Sequence, residues 1–276
     1  MSSTPETAPP AWYPDPMGRH QLRYFDGAQW TEHVSSNGQQ SLDPLAPSAI
    51  PTTSQSADKH AKQLERAGVV AGEQQGTGTV FTEPILVVNQ KAKLIEINNE
   101  YAIFDQHGSQ IGAIREVGQS GVKKAMRVLT SFDQFMSHSL QIVDMTGAVQ
   151  LTVTRPAKFI KSKFSIGDAT GREIGQIVQK NMIGKIHFGL EANGQEVGSL
   201  NAENWRAWNF NILDASGVEI ARITKTWEGL AKTLFTTADN YVIQLHRALD
   251  DPLRSLVVAS ALSVDTALKQ DQRGFN

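Results

Sequence analysis

Cations interleaved with apolar residues are the first feature of this chain that could do chemistry. Arg155-Pro156-Ala157-Lys158-Phe159-Ile160-Lys161-Ser162-Lys163-Phe164 sets four positive charges among aliphatic and aromatic side chains, and between Leu151 and Leu190 seven cations face two acids. Near an anionic leaflet each basic residue is worth about 1 kcal/mol, and a neighbouring Phe adds interfacial insertion. Arg155, Lys158, Lys161 and Lys163 are therefore candidate lipid-phosphate contacts. The competing reading is a solvated outer face with Phe159 and Phe164 turned inward. Other chemistries lack their residues. The seven histidines show no metal-ligand spacing, and HExxH, the P-loop, GxSxG and a dinucleotide fingerprint are missing from the sequence. No enzyme is expected.

Composition narrows the classes further. The 276 residues amount to a prior of about two domains. Twenty-six basic and 28 acidic residues leave a net charge of −2, so no global field draws nucleic acid. Cysteine is absent, which excludes disulfides, Cys-ligated zinc and thiol catalysis. The first residues have neither a basic start nor an apolar run, and no 18-residue uncharged apolar stretch follows. A mainly β, soluble, intracellular protein is expected.

Aromatic residues divide the chain. Trp12, Tyr13, Tyr24, Phe25 and Trp30 crowd the start, none occurs from Thr31 to Val80, and they return at Phe81. The gap is rich in Ser, Thr, Gln, Pro, Ala and Gly, which reads as a flexible linker over residues 36–79. A short helix from Asp58 to Ala71 is marginal in isolation. A small module over residues 10–35 and a larger domain over residues 80–270 remain.

The larger domain repeats one pattern: apolar alternation, Asp-x-x-Gly, apolar alternation. It starts its turns at Asp105, Asp144, Asp168 and Asp214, and once at Glu191. Alternation of period two marks half-buried strands, and Asp first with Gly fourth suits a type I turn whose Gly takes a positive φ. The repetition favours turn chemistry over catalytic carboxylates. With the runs ILVVNQ, KLIEIN, AMRVLTSF, WRAWNFNIL and YVIQLH the total is about a dozen strands, which suggests a sandwich or a closed barrel.

The last element is helical. After Asp250-Asp251-Pro252, residues 252–269 carry apolar side chains around almost the whole circumference. Only ten residues separate Arg254 from Asp265, about 15 Å of helix against about 30 Å of hydrocarbon. The helix is expected inside protein: a closed antiparallel β-barrel of about twelve strands with a central C-terminal helix.

At this point the residues resemble known families. Ala238-Asp239-Asn240-Tyr241-Val242-Ile243-Gln244-Leu245, then Asp250-Asp251 and the helix ending Val264-Asp265-Thr266-Ala267-Leu268, is similar to the C-terminal signature of phospholipid scramblases. The hairpins resemble the wider scramblase and LURP-one-related group, which shares the tubby C-terminal fold. The resemblance covers about residues 80–270. It implies the barrel just described, anionic phospholipid as partner, and calcium as an ion that Asp239, Asp250 and Asp251 would help to bind. The family has a further acid where Thr237 stands here, and loop residues plus an acidic helix start explain the same three acids. The palmitoylated cysteines of some members are missing.

Trp12-Tyr13-Pro14-Asp15-Pro16, Tyr24-Phe25-Asp26-Gly27 and Trp30-Thr31-Glu32-His33 resemble a short bacterial module of unknown function, read here as a minimal hairpin. Its Trp12, Tyr24 and Trp30 either form a tiny core or grip a proline-rich protein partner. Two functions follow. The first is a non-enzymatic lipid-associated protein peripheral to the inner, cytoplasmic face of the cell membrane. The alternative is a soluble scaffold whose Trp module binds a partner and whose barrel ignores lipid.

Overall fold

The computed structural model describes residues 8–36, 38–43, 45, 49–50, 52, 55–72, 76–90, 99–117, 138–155, 162–181, 185–203, 209–226 and 240–271. A four-stranded antiparallel sheet comes first: β1 (Ala11–Pro14), β2 (Leu22–Phe25), β3 (Trp30–Ser36) and β4 (Gln39–Leu42), in that order. The module is thus a full sheet that runs past residue 35, since Ser35 and Ser36 turn through Gly38 to pair with Gln40 and Gln39.

Twelve strands close the barrel: β5 (Ile85–Gln90), β6 (Asn99–Phe104), β7 (Gln110–Val117), β8 (His138–Asp144), β9 (Val149–Arg155), β10 (Lys163–Gly167), β11 (Glu173–Gln179), β12 (His187–Ala192), β13 (Gln195–Ala202), β14 (Asn209–Asp214), β15 (Glu219–Thr226) and β16 (Asn240–Leu245). Each pairs antiparallel with its sequence neighbour, and β16 pairs with β5 to complete the circuit. Closure leaves no free edge. The runs KLIEIN and AMRVLTSF lie outside the described residues.

Four of the five turns are built as the repeat predicts. The carboxylates of Asp105, Asp144, Asp168 and Asp214 each accept backbone N–H groups two and four residues on. Gly108, Gly147, Gly171 and Gly217 sit at φ from 80° to 85°. The fifth differs. Ala192 pairs with Gln195, leaving Asn193 (φ 51°) and Gly194 (φ 76°) as a two-residue turn, while Glu191 stays in its strand. Asn-Gly tolerates positive φ at both positions and so prefers the tighter turn that matches strand twist. At Gly217 nothing stands within 4 Å of an added Cβ, so Gly217→Ala tests backbone conformation alone. We expect it to cost about 1–2 kcal/mol, read as a fall in Tm of a few degrees. An unchanged Tm would refute the turn assignment.

The C-terminal helix, α2 (Leu253–Asp271), occupies the lumen. Leu256, Val257, Val258, Ala259, Ser260, Ala261 and Leu262 are seven consecutive buried residues, nearly two turns, so every side of this stretch meets protein. Leu256, Val257, Val258 and Leu262 join Phe164, Phe188, Phe210 and the other inward strand residues in one core. Among the described residues no helix is long and apolar enough to cross a membrane.

The segment expected to be a flexible linker carries ordered structure. Besides β4 it holds α1 (Ala57–Arg66), and Ile50 packs against Ala113 and Val143 on the barrel's outer wall. Composition counts the apolar residues a segment owns. Here the apolar surface that orders it belongs to the barrel.

Candidate functional site

Strand alternation decides which cations face outward. On β9 the buried positions are Leu151, Val153 and Arg155, so the two-residue period carries Arg155 to the inner wall, 2% exposed. Arg155 is therefore corrected from a surface lipid contact to an interior residue. In the next stretch Ser162, Phe164 and Ile166 are buried and Lys163 is exposed. Phe164 turns inward against Phe188, ring centroids 6.4 Å apart, which removes it as an interfacial anchor. Lys158, Phe159 and Lys161 lie outside the described residues.

Much of the remaining positive charge is neutralised. Arg172 pairs with Asp168 at 3.0 Å. Lys180 bridges Glu191 at 2.5 Å and Glu196 at 2.9 Å, and its side chain crosses Gly189, where a Cβ would collide with it. Lys185 donates to the Glu203 carbonyl oxygen at 2.7 Å. Lys163 and Lys185 thus remain outward with no acidic partner among the described residues. Lys163 opens β10 and Lys185 stands two residues before β12, both at the barrel end opposite the Asp105, Asp144, Asp168 and Asp214 turns.

Of the three acids assigned to calcium, Asp250 and Asp251 are among the described residues. Asp251 Oδ1 accepts from the Ser255 N–H (3.2 Å) and hydroxyl (2.7 Å), and Oδ2 takes Arg254 at 2.7 Å. Burial pushes this carboxyl up, and the Ser255 and Arg254 contacts outweigh it, holding the group below its usual range. It is a helix cap. The Asp250 carbonyl accepts the Arg254 N–H, Asp239 lies outside the described residues, and no three potential ligands cluster among those described. A calcium site wants six to eight oxygens, and Asp250 and Asp251 by themselves supply only part of such a set.

In the N-terminal sheet Trp12, Tyr24 and Trp30 are not brought together. Trp12 and Tyr24 are cross-strand partners in edge-on contact at 5.5 Å, whereas Trp30 joins Tyr13 and Phe25 at 6.1 and 5.3 Å. Arg23 is fully buried in the module. Its Nε donates to Asp15 (2.8 Å), Nη2 to Asp43 (2.8 Å), and Nη1 to the carbonyls of Asp43 (2.7 Å) and Thr31 (3.0 Å). Arg19 adds a second contact to Asp43 at 2.9 Å. Burial pushes Asp15 and Asp43 up. For Asp15 the Arg23 hydrogen bond and the Met17 N–H reverse this, and for Asp43 the His20 hydrogen bond and the Arg19 charge do, leaving both carboxyls below their usual range. Sequence reading missed this network. The available signal was a charged residue two positions from Phe25, on the buried face of the same strand.

A family model described as Scramblase matches residues 66–268, well over half of the 276-residue chain. The chain belongs to the Scramblase family. The scramblase match runs from the last residue of α1 into α2 and takes in every barrel strand. A second model, described as a protein of unknown function (DUF2510), matches residues 10–42 and coincides with the four-stranded sheet. Altered inheritance rate of mitochondria protein 25 of Saccharomyces cerevisiae is 22% identical over 251 residues, covering 74% of this chain and 76% of the yeast protein. A phospholipid scramblase family protein of Schizosaccharomyces pombe is 22% identical over 179 residues, covering 60% of this chain and 47% of that relative. No solved structure matches this scramblase-family chain.

Proposed function

We propose that this scramblase-family protein associates with anionic phospholipid at the inner, cytoplasmic face of the cell membrane and catalyses no covalent reaction there. Family membership over residues 66–268 carries the reading. The outward Lys163 and Lys185, which share one barrel end and have no acidic partner among the described residues, support contact with an anionic surface at that end. Because α2 fills the lumen over residues 256–262, lipid contact is assigned to the outer surface rather than to a path through the barrel.

Co-sedimentation of the full chain with phosphatidylserine-containing vesicles tests this. The full chain is needed because α1 and Ile50 pack on the barrel wall. Binding is expected at low salt, to be lost at high salt, and to be absent with purely zwitterionic vesicles. Changing Lys158, Lys161 and Lys163 together to Ala is expected to weaken it about a hundredfold, at about 1 kcal/mol per cation. Binding indifferent to salt and to these three changes would overturn the proposal.

A further inference from the structure

The barrel carries a second apolar surface, on its outside. Ile85 and Val87 of β5, Ala102 and Phe104 of β6, and Val242 of β16 form a cluster separate from the lumen core. Their neighbours Leu86, Val88, Tyr101, Ile103, Tyr241 and Ile243 point inward. A barrel wall facing water should alternate apolar-in with polar-out. Here three adjacent strands are apolar on both faces.

What keeps this stripe dry is α1 and the residues after it. Leu64 and Val69 lie on it, with Ala67 beside them. The hold is slight. Only His60, Gln63 and Leu64 of the ten helix residues are buried, and two of those are polar. Their partners are side-chain amides and one carbonyl. Gln55, Gln63 and Asn89 close a ring of three hydrogen bonds of 2.5 to 2.9 Å, and His60 Nε2 donates to the Gln106 carbonyl oxygen at 3.0 Å. A ten-residue helix has no stability of its own in water, so α1 exists while these contacts last. Its Ser56 cap, accepting from the Lys59 N–H, is solvent-exposed.

We propose that α1 is a displaceable strap and that the stripe beneath it receives phospholipid acyl chains when the protein meets a bilayer. This rests on the lipid-associated reading above and deepens it by naming the apolar contact. The surroundings favour lipid as occupant: along β5 and β16 the outward positions that continue the stripe are the neutral amides Asn89, Asn240 and Gln244, which the interfacial zone of a bilayer accommodates. The polar face of the released α1, with Lys59, Lys62 and Arg66, stays in water or among headgroups.

Because the chain has no cysteine, a single thiol reports on the strap. Val87→Cys sits beneath it, and Ser56→Ala with Gln63→Ala loosens it without altering any stripe residue. In the full chain the loosened protein is expected to react with a water-soluble maleimide at position 87 about tenfold faster, as loss of a helix cap and an amide contact allows. It is also expected to bind phosphatidylserine vesicles several-fold more tightly, and bound vesicles should protect the thiol in either background. Faster modification with unchanged vesicle affinity would overturn the strap proposal while leaving lipid association intact. If neither protein sediments with vesicles at any salt, the lipid reading itself falls, and the strap proposal with it.

Discussion

Val258→Asp is expected to leave no folded barrel. Val258 is 4% exposed, with Leu256, Val257, Ala259 and Ser260 beside it each at 0%, so the new carboxylate has no route to water. The core cluster that includes Val258 is aliphatic and aromatic. Burying an unpaired carboxylate costs roughly 5 kcal/mol even when the group takes up a proton, comparable to the entire stability of a domain at about 5–15 kcal/mol. Two variants separate charge from shape. Val258→Ala removes two methyl groups and should cost about 2 kcal/mol. Val258→Thr keeps the volume, and its hydroxyl can bond the carbonyl four residues back, as Ser260 does to Leu256 at 2.7 Å. Both should melt cooperatively by circular dichroism. A soluble Val258→Asp protein with a cooperative melt would show that α2 does not occupy the lumen.

Removing the Arg23 side chain is the second change with a large expected effect. Arg23→Ala leaves the Asp15 and Asp43 carboxylates without the guanidinium that joins them, at a cost of about 3–5 kcal/mol. A four-stranded sheet of this size holds little more than that. We expect the N-terminal sheet to unfold while the barrel keeps its own transition. Of the five tryptophan indole resonances, two, from Trp12 and Trp30, should collapse to unfolded shifts. Acid should do the same to the unaltered protein. Both carboxyls titrate below their ordinary value of 3.8 when folded, so their stabilising contribution is complete above that value. It drains away as pH falls from there toward the lower folded values. A sheet held by aromatic packing alone would show no transition in that window, and indole resonances unchanged down to pH 2 would exclude the ion network as its core.

Because Arg115 lies near Asp43 and Arg19, the same network reaches the barrel. Burial lowers the Arg115 guanidinium, and the Asp43 charge opposes that. Gly171, in the turn after β10, faces the Arg19 carbonyl closely enough that a Cβ would stand 3.2 Å from it. The sheet and the barrel meet through charges that no single segment reveals.

The features legible in the sequence were those with a local cause. Asp105, Asp144, Asp168 and Asp214 announced their turns because an Asx side chain and a Gly three positions on satisfy one another's backbone needs within five residues. The helix from Leu253 announced its burial because apolar residues on every side leave only one kind of environment. Closure of the barrel followed from counting strands and having one helix to enclose. What only the tertiary structure decided was which way a borderline residue faces and what covers it. Arg155 continues the inward period of Leu151 and Val153, a register set by pairing with β8 and β10 rather than by its own charge. By composition residues 36–79 look unable to order themselves; Ile50, Leu64 and Val69 settle on apolar surface that distant strands present. Periodicity and turn chemistry act between residues a few positions apart and can be read along the chain. Burial of a charge or docking of a strap depends on surfaces assembled from strands far apart in sequence, which exist only once the barrel has closed.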